Sequence, residues 1–483
     1  MGNLCSNRPL VLETQADPSK LVTQFSKLTS LKEKFEFISQ IGNGAFGKVR
    51  LYRDIYYKNM LYAIKTLKKE GIPQQLYKCL KAEVKILSEL DHPNIVKYYG
   101  TFEDLYHLHI VMEYLKGDNL NKIIILKDYN ELDEEEMCQI IYQLLKALLF
   151  IHNKNIVHRD IKPENIVFGK KSDYSTLKLI DFGLATNTKN TKKNSCGSPY
   201  YMAPEIIEGN FSKKTDIWSV GVIVYLMFTG KHPYTTGKDG KEDLFENILK
   251  KNYNVAILNN SEYSEEGKDF VLKTLVKDEK ERMSTEECLE HPWIKNYLSN
   301  KDNSKLITAN LVKVLLSFGK KSLLQKELLY FISKITHEDE IKKQKEIFNY
   351  IDIHNEGTIR AEEIKIAFES SGIKISEDEI NKIWDALNFH KDGKVTYSEF
   401  LAGILPIKLF EDEEKLSELF NYFIESVEDK QVITFKLLVN KATVLGIKLN
   451  EKELKDEFDK LKKEKGTKVT FDVFKELLTK RDS

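Results

Sequence analysis

The octet HRDIKPEN at residues 158–165 places a carboxylate (Asp160), an ammonium (Lys162) and an amide (Asn165) in one short stretch. Such a set can take a proton from a hydroxyl, steady a moving phosphoryl group and help hold a magnesium ion. The triplet DFG follows at Asp181 to Gly183, offering Asp181 as the main magnesium ligand, and APE stands at Ala203 to Glu205. Each short motif is common by chance; in this order and at this spacing they are not.

Upstream, the sequence prepares a place for nucleotide. The stretch IGNGAFGKV gives G-x-G-x-x-G-x-V through Gly42, Gly44, Gly47 and Val49. Taken alone it is weak, because dinucleotide-binding folds use the same glycines. Here it lies between two alternating runs, FEFISQI and KVRLY, so it reads as a turn between strands rather than a strand running into a helix. Glycines let backbone amides approach phosphate oxygens with no Cβ in the way. A third strand, LYAIKTL, carries Ala63 and Lys65. Lys65 lies at the right distance to hold the α- and β-phosphates of ATP. The next stretch spaces Leu76, Leu80, Val84, Leu87 and Leu90 as a helix would, with Glu83 the candidate partner of Lys65 and Glu89 its rival.

These motifs resemble the protein kinase family over residues 35–294, and HRDIKPEN with GSPYYMAPE resembles its serine/threonine branch. The resemblance implies an α+β, bilobal domain: an antiparallel N-lobe sheet with one helix, then a helical C-lobe. It implies a nucleotide site lined by Ile41, Gly42, Gly44, Gly47, Val49, Ala63, Lys65, Met112, Glu113, Leu115 and Asn119. Met112 would be the gatekeeper, with Glu113 and Leu115 offering backbone hydrogen bonds to adenine. The catalytic set would be Asp160, Lys162, Lys65 and Glu83, with Asn165 and Asp181 on magnesium. Asp216 would brace the catalytic loop, and Arg282 would pair with Glu205. Asn119 departs from the glutamate many kinases carry near the ribose, so only Glu164 keeps a faint lean towards basic substrates. Asn194 stands where the activation loop usually carries a phosphothreonine, with Thr191 and Ser195 nearby.

Beyond the polar break SNKDNS lies a basic amphipathic stretch. Leu311, Leu315 and Phe318 line one face, and Leu324, Leu328, Phe331 and Ile335 continue it past a kink expected at Gly319. Lys313, Lys320, Lys321 and Lys326 supply its charge. The remainder repeats: Ile359, Val395, Ile433 and Val469 recur at intervals of 36, 38 and 36 residues, each five residues before another apolar side chain. That period predicts four helix–loop–helix units in two pairs.

A kinase, a basic junction and four such units resemble the calcium-dependent protein kinases over nearly the full length. The resemblance implies a junction (residues 295–340) that restrains the kinase, an EF-hand-like pair at 341–405 and a second at 406–483, all-α. A calcium loop wants oxygens at positions 1, 3, 5, 7, 9 and 12, with glycine at 6. The first loop, residues 352–363, keeps Asp352, Glu356, Gly357 and Glu363 but has His354 at position 3 and Arg360 at 9. The second, residues 388–399, offers Asn388, Asp392, Thr396 and Glu399, with His390 at position 3. Imidazole suits transition metals better than calcium, so any calcium (Ca2+) binding is expected to be weak, and the helices are read first as a packing platform. The third and fourth units carry Leu437 and Val473 at position 12 and are not expected to bind calcium; position 6 of the third is Gln431.

The totals fit this reading. At 483 residues, 41% hydrophobic and 31% charged, the chain is long enough for about three domains. Lysine plus arginine equals aspartate plus glutamate at 74 each, which gives no electrostatic reason to expect a nucleic-acid partner. Five scattered cysteines argue against a disulfide framework and fit a reducing compartment. Met1-Gly2 with Ser6 fits N-myristoylation and Cys5 suits palmitoylation, a pair that would anchor the polar tether 1–34 to the cytoplasmic face of a membrane. The expected function is ATP- and magnesium-dependent phosphorylation of protein substrates, governed by the C-terminal region, with calcium or a separate calcium sensor as the signal. Two alternatives stand: a lipid-anchored scaffold, and a kinase whose EF-hand region only docks partners.

Overall fold

The computed structural model describes residues 26–27, 31–44, 47–55, 60–70, 74–126, 132–188, 196–236, 240–299, 304–424, 432–444, 447, 449–465 and 469–479. Gly2 and Cys5, where the sequence suggests acylation, Gln431, and Thr191, Asn194 and Ser195 of the activation segment lie outside them.

Six strands make the N-lobe sheet: β1 (Ser26–Lys27), β2 (Phe35–Gly44), β3 (Gly47–Asp54), β4 (Leu61–Lys68), β5 (Tyr98–Glu103) and β6 (His107–Glu113). Their order is β1-β5-β6-β4-β3-β2, antiparallel throughout except for β1 on β5. The glycine-rich stretch is the turn from β2 to β3, closed by pairing of Gly44 with Gly47. Helix α1 (Gln74–Glu89) buries Leu80, Val84 and Leu87, with Leu90 just beyond its end, and Glu83 lies on the same face. The side chain of Leu76 is outside the described set.

The C-lobe is built on α2 (Leu120–Leu126) and α3 (Glu134–Asn153). Asp133 and Glu136 form a capping box that fixes where α3 starts. Fourteen of its twenty residues are buried, including the polar pair Gln143 and Lys146, so α3 is the spine of this lobe. Strands Ile166–Lys170 and Asp173–Leu179 pair antiparallel and carry Asn165 and Asp181 at their adjoining ends. The last C-lobe helix runs Pro292–Ser299.

The junction is two helices, Ala309–Gly319 and Leu323–Ile335. At Gly319 the sequence suggested a kink; the chain instead stops one helix there and starts another, because Ser322 and Gln325 form a fresh capping box. Leu311, Leu315 and Phe318, then Leu324, Leu328, Phe331 and Ile335, bury into one core with the four C-terminal units. Leu315 and Phe318 lie against Gly403, which shows how closely the first junction helix meets helix Tyr397–Ile404.

The four periodic residues are paired. Ile359 faces Val395 in a short antiparallel ladder, and Ile433 N–H donates to the Val469 carbonyl at 2.9 Å. Each pair of units is thus tied by the same backbone bridge, in the second pair without the carboxylates that normally accompany it. No helix among the described residues is long and apolar enough to cross a membrane.

Candidate active site and calcium loops

Sheet register assembles the nucleotide site. Gly42 pairs with Val49, Val49 with Lys65, and Ala63 with Met112, so residues far apart in sequence share one patch. Gly47 has to be glycine: a Cβ there would stand 2.4 Å from the Thr66 carbonyl oxygen of β4. Lys65 Nζ lies 2.6 Å from Glu83 Oε1 and 3.2 Å from Asp181 Oδ1. Glu83, and not the exposed Glu89, is therefore the partner. Burial opposes the Lys65 charge, but Asp181 and Glu83 outweigh it and its pKa is raised. Burial likewise opposes ionisation of Asp181, yet Lys65 overrides it and the carboxyl is lowered.

Glu113 N–H already donates to the Lys97 carbonyl at 2.9 Å, and its carboxylate accepts from Lys97 N. Only its own carbonyl is left for a base. Leu115 follows beyond the end of β6, and Ile41 is partly exposed on β2. Asn119 Oδ1 accepts from Lys122 N and so starts α2.

In the catalytic loop, Asp160 accepts from Ser198 N–H (3.0 Å) and Ser198 Oγ (2.9 Å) on Oδ1, and pairs with Lys162 at 2.9 Å on Oδ2. Asn165 Nδ2 donates to the Asp160 carbonyl and Oδ2, which leaves its amide oxygen available. That oxygen and the Asp181 carboxylate form a hard-oxygen pair of the kind magnesium takes. Asp216, fully buried, accepts from the backbone N–H groups of His158 and Arg159 and contacts His152 Nε2, each at 2.9 Å. It holds Arg159 at φ +64°, a conformation that costs energy without such bracing. Arg282 grips Glu205 with two hydrogen bonds, at 2.6 and 2.9 Å. Ser198 and His152 were not singled out from sequence; GSPYY read as one motif concealed the serine that touches Asp160.

The calcium loops are organised differently. Asp352 Oδ1 and Asn388 Oδ1, at position 1 of each loop, are buried and lack a well-placed donor. An unanswered oxygen at that position fits a hard cation. Around it, however, the loops answer themselves. His354 Nδ1 lies 2.9 Å from Glu363 Oε1, and His390 Nδ1 lies 2.7 Å from Glu399 Oε1: in both, position 3 has turned onto position 12. Glu356 pairs with Arg360 and with Lys394. Asp392 Oδ1 caps Lys394 N, and Thr396 caps the helix that carries Glu399. Burial opposes the His390 charge, but Glu327, 3.3 Å from Nε2, and Glu399 outweigh it and raise its pKa to about 9. Burial raises Asp352 to about 6 against the pull of Lys146. The donor set fits calcium with the two histidines as non-ligands.

Loop one is also where the C-terminal region meets the kinase domain. Lys146 of α3 donates to Asn349 at 2.7 Å and lies 3.8 Å from Asp352 Oδ2; Tyr142 donates to Asn355 at 2.7 Å. Gly357, at φ +70°, lies so close to His92 and Phe150 that a Cβ would stand 2.4 and 2.8 Å from them. Nearby, buried Lys178 pairs with Glu338 (2.6 Å) and Glu113 (3.5 Å), and Lys345 pairs with Glu338 at 3.0 Å. Burial works against the Glu338 charge, but Lys178 and Lys345 hold its carboxyl well below the usual range. Lys97 Nζ caps the second junction helix at Thr336 O (3.0 Å), and Asp91 accepts from Ser398 and pairs with Lys334.

A two-lobed domain with this lysine–glutamate pair and this catalytic loop defines a protein serine/threonine kinase, which uses ATP and magnesium. The protein kinase domain family model matches residues 35–294, and the EF-hand domain pair model matches 341–405. The chain is 31% identical over 479 residues to calcium-dependent protein kinase 22 of Arabidopsis thaliana, covering 95% of this chain and 94% of that protein. It is 32% identical over 411 residues to calcium-dependent protein kinase 4 of Plasmodium falciparum (isolate 3D7), covering 81% and 76%. The chain belongs to the calcium-dependent protein kinase family.

Proposed function

We propose that this kinase phosphorylates protein substrates with Asp160 taking the hydroxyl proton, and that its C-terminal module acts on it through the docked face rather than the cleft. Asp160 is aimed by Ser198 and Lys162, and it would receive the proton as the hydroxyl attacks the γ-phosphorus and the bond to the β,γ-bridging oxygen breaks to release ADP. Lys162 is placed to follow charge onto the transferred group, and Lys65, fixed by Glu83, to hold the α- and β-phosphates. Asn165 and Asp181 would hold magnesium, which neutralises charge on the phosphates when bound.

For regulation, the observation that carries the reading is the place of loop one. Asp352 is at once the first oxygen of a calcium loop and the partner of Lys146 on α3. Calcium at Oδ1 and Lys146 beside Oδ2 would share one carboxylate, which would make calcium a signal the module can pass on. The ion must also displace His354 from Glu363 or His390 from Glu399, so its affinity falls at the weak end of the EF-hand range. Acylation at Gly2 and Cys5 would place the kinase at a membrane surface, and Gly2→Ala would release it from the membrane fraction.

The test is peptide phosphorylation by the full chain in chelator and across a calcium titration, beside a chain ending near residue 298. A calcium-dependent rate in the full chain alone supports the reading. Equal rates throughout would show that the module does not govern the kinase. A slow full chain at every calcium level, with a fast truncated one, would assign the release to a separate sensor or partner.

A further inference from the structure

The N-lobe holds a further cluster of side chains of metal-ligand type, apart from the cleft and the calcium loops. At the β5–β6 turn, Asp104 Oδ1 accepts the N–H groups of Tyr106 (2.8 Å) and His107 (2.7 Å), which fixes the turn and sets Oδ2 against the His109 ring. His107 and His109 are two residues apart on β6 and so project from one face of the strand. His109 Nε2 lies 3.0 Å from Asp104 Oδ2 and His107 Nδ1 lies 3.4 Å from Oδ1. One ligand atom from each of the three residues falls within 4.8 Å of the others.

We propose that Asp104, His107 and His109 form a site for a divalent transition metal such as zinc. Two imidazoles and one carboxylate select such ions over magnesium or calcium, which prefer all-oxygen shells. The ring of His109 is already oriented as a ligand would be. Its Nε2 lies 3.0 Å from Asp104 Oδ2, and its Nδ1 lies 3.1 Å from Thr66 Oγ1 on β4, a partner that can accept an Nδ1 proton once a metal takes the place of the proton on Nε2. The remaining coordination positions open onto a groove of about 640 Å³ between this turn and β2–β3, where water or a ligand can complete the shell. Thr66 adjoins Lys65 on the same strand, so an ion here would tie β6 to the strand that holds the phosphates.

The probe is Co²⁺, titrated into the full chain with calcium and magnesium in excess and followed by ligand-field absorbance, then displaced with Zn²⁺. One zinc-displaceable Co²⁺ per chain is expected at this site. His107→Ala should weaken it about tenfold or more. Thr66→Val should weaken it about tenfold with all three ligands intact. His107 is partly exposed, so its truncation leaves the sheet folded; a melting curve checks the same for Thr66→Val. Absence of displaceable absorbance, or a signal that His107→Ala and Asp104→Asn both leave unchanged, overturns the proposal.

Discussion

The catalytic cleft and the calcium loops are both clusters of carboxylates facing cations, yet they are built to opposite ends. In the cleft, Lys65 steadies Asp181 and Asn165 keeps its amide oxygen unspent, while Lys162 and Ser198 hold the two oxygens of Asp160. In the loops, histidine, arginine and lysine close onto the carboxylates themselves, and the buried side-chain oxygens left unanswered include those at position 1 and Thr358 Oγ1. A ligand can therefore reach the Asn165 oxygen in the cleft without breaking a contact, whereas in the loops it has to displace a resident partner.

The largest effect should fall on the cleft. Asp160→Asn is expected to lower kcat by roughly 10²- to 10⁴-fold while leaving the melting curve nearly unchanged, read by peptide phosphorylation and calorimetry. At the docked face, Glu338→Ala strands buried Lys345 and leaves Lys178 only the more distant Glu113, and the loss should be about 3–5 kcal/mol. Urea unfolding would show it, with the module separating before the kinase domain; a single unchanged transition would make the cluster incidental. Gly357→Ala must fit a Cβ against His92 at a positive φ, and about 2 kcal/mol of destabilisation is expected by the same measurement. In the loops, His354→Asp with His390→Asp should restore oxygens at position 3 and tighten calcium at least about tenfold, measured by calorimetry on the full chain. No tightening would mean that the rings are not what keeps the loops weak.

The smallest effect concerns pH. Burial lowers Lys97 to about 8. A folded-state pKa below that of the unfolded chain means that folding releases a proton, so stability should rise as pH climbs from about 8 towards 10. For this largely buried side chain the gain is at most about 1.4 kcal/mol per pH unit. Lys97→Met should remove that rise in urea unfolding at pH 7.5 and 9.5.

The fold was largely legible because its signals are periodic or ordered: four apolar residues at near-constant spacing, and motifs in fixed sequence along the kinase domain. The cleft was legible for the same reason, save for Ser198 and His152, which act through single hydrogen bonds that no spacing advertises. The docked face was not legible. Lys178 looks like any strand lysine in TLKLID, and its partner Glu338 is 160 residues away. One clue was available: Lys146 lies inside the apolar run LLKALLF, where a lysine on a buried helix needs a partner. The histidines at position 3 were visible as departures from the loop pattern, but that both would turn onto position 12 follows only from the folded loop.

The placement of loop one against α3 carries a thermodynamic obligation. If docking to Lys146, Tyr142 and His92 alters the affinity of Asp352 and its neighbours for calcium by some factor, calcium must alter docking by the same factor. A dissociation constant measured on the severed C-terminal half would then report a different site from the one in the intact chain. The gap between the two values is itself the strength of communication between ion and enzyme.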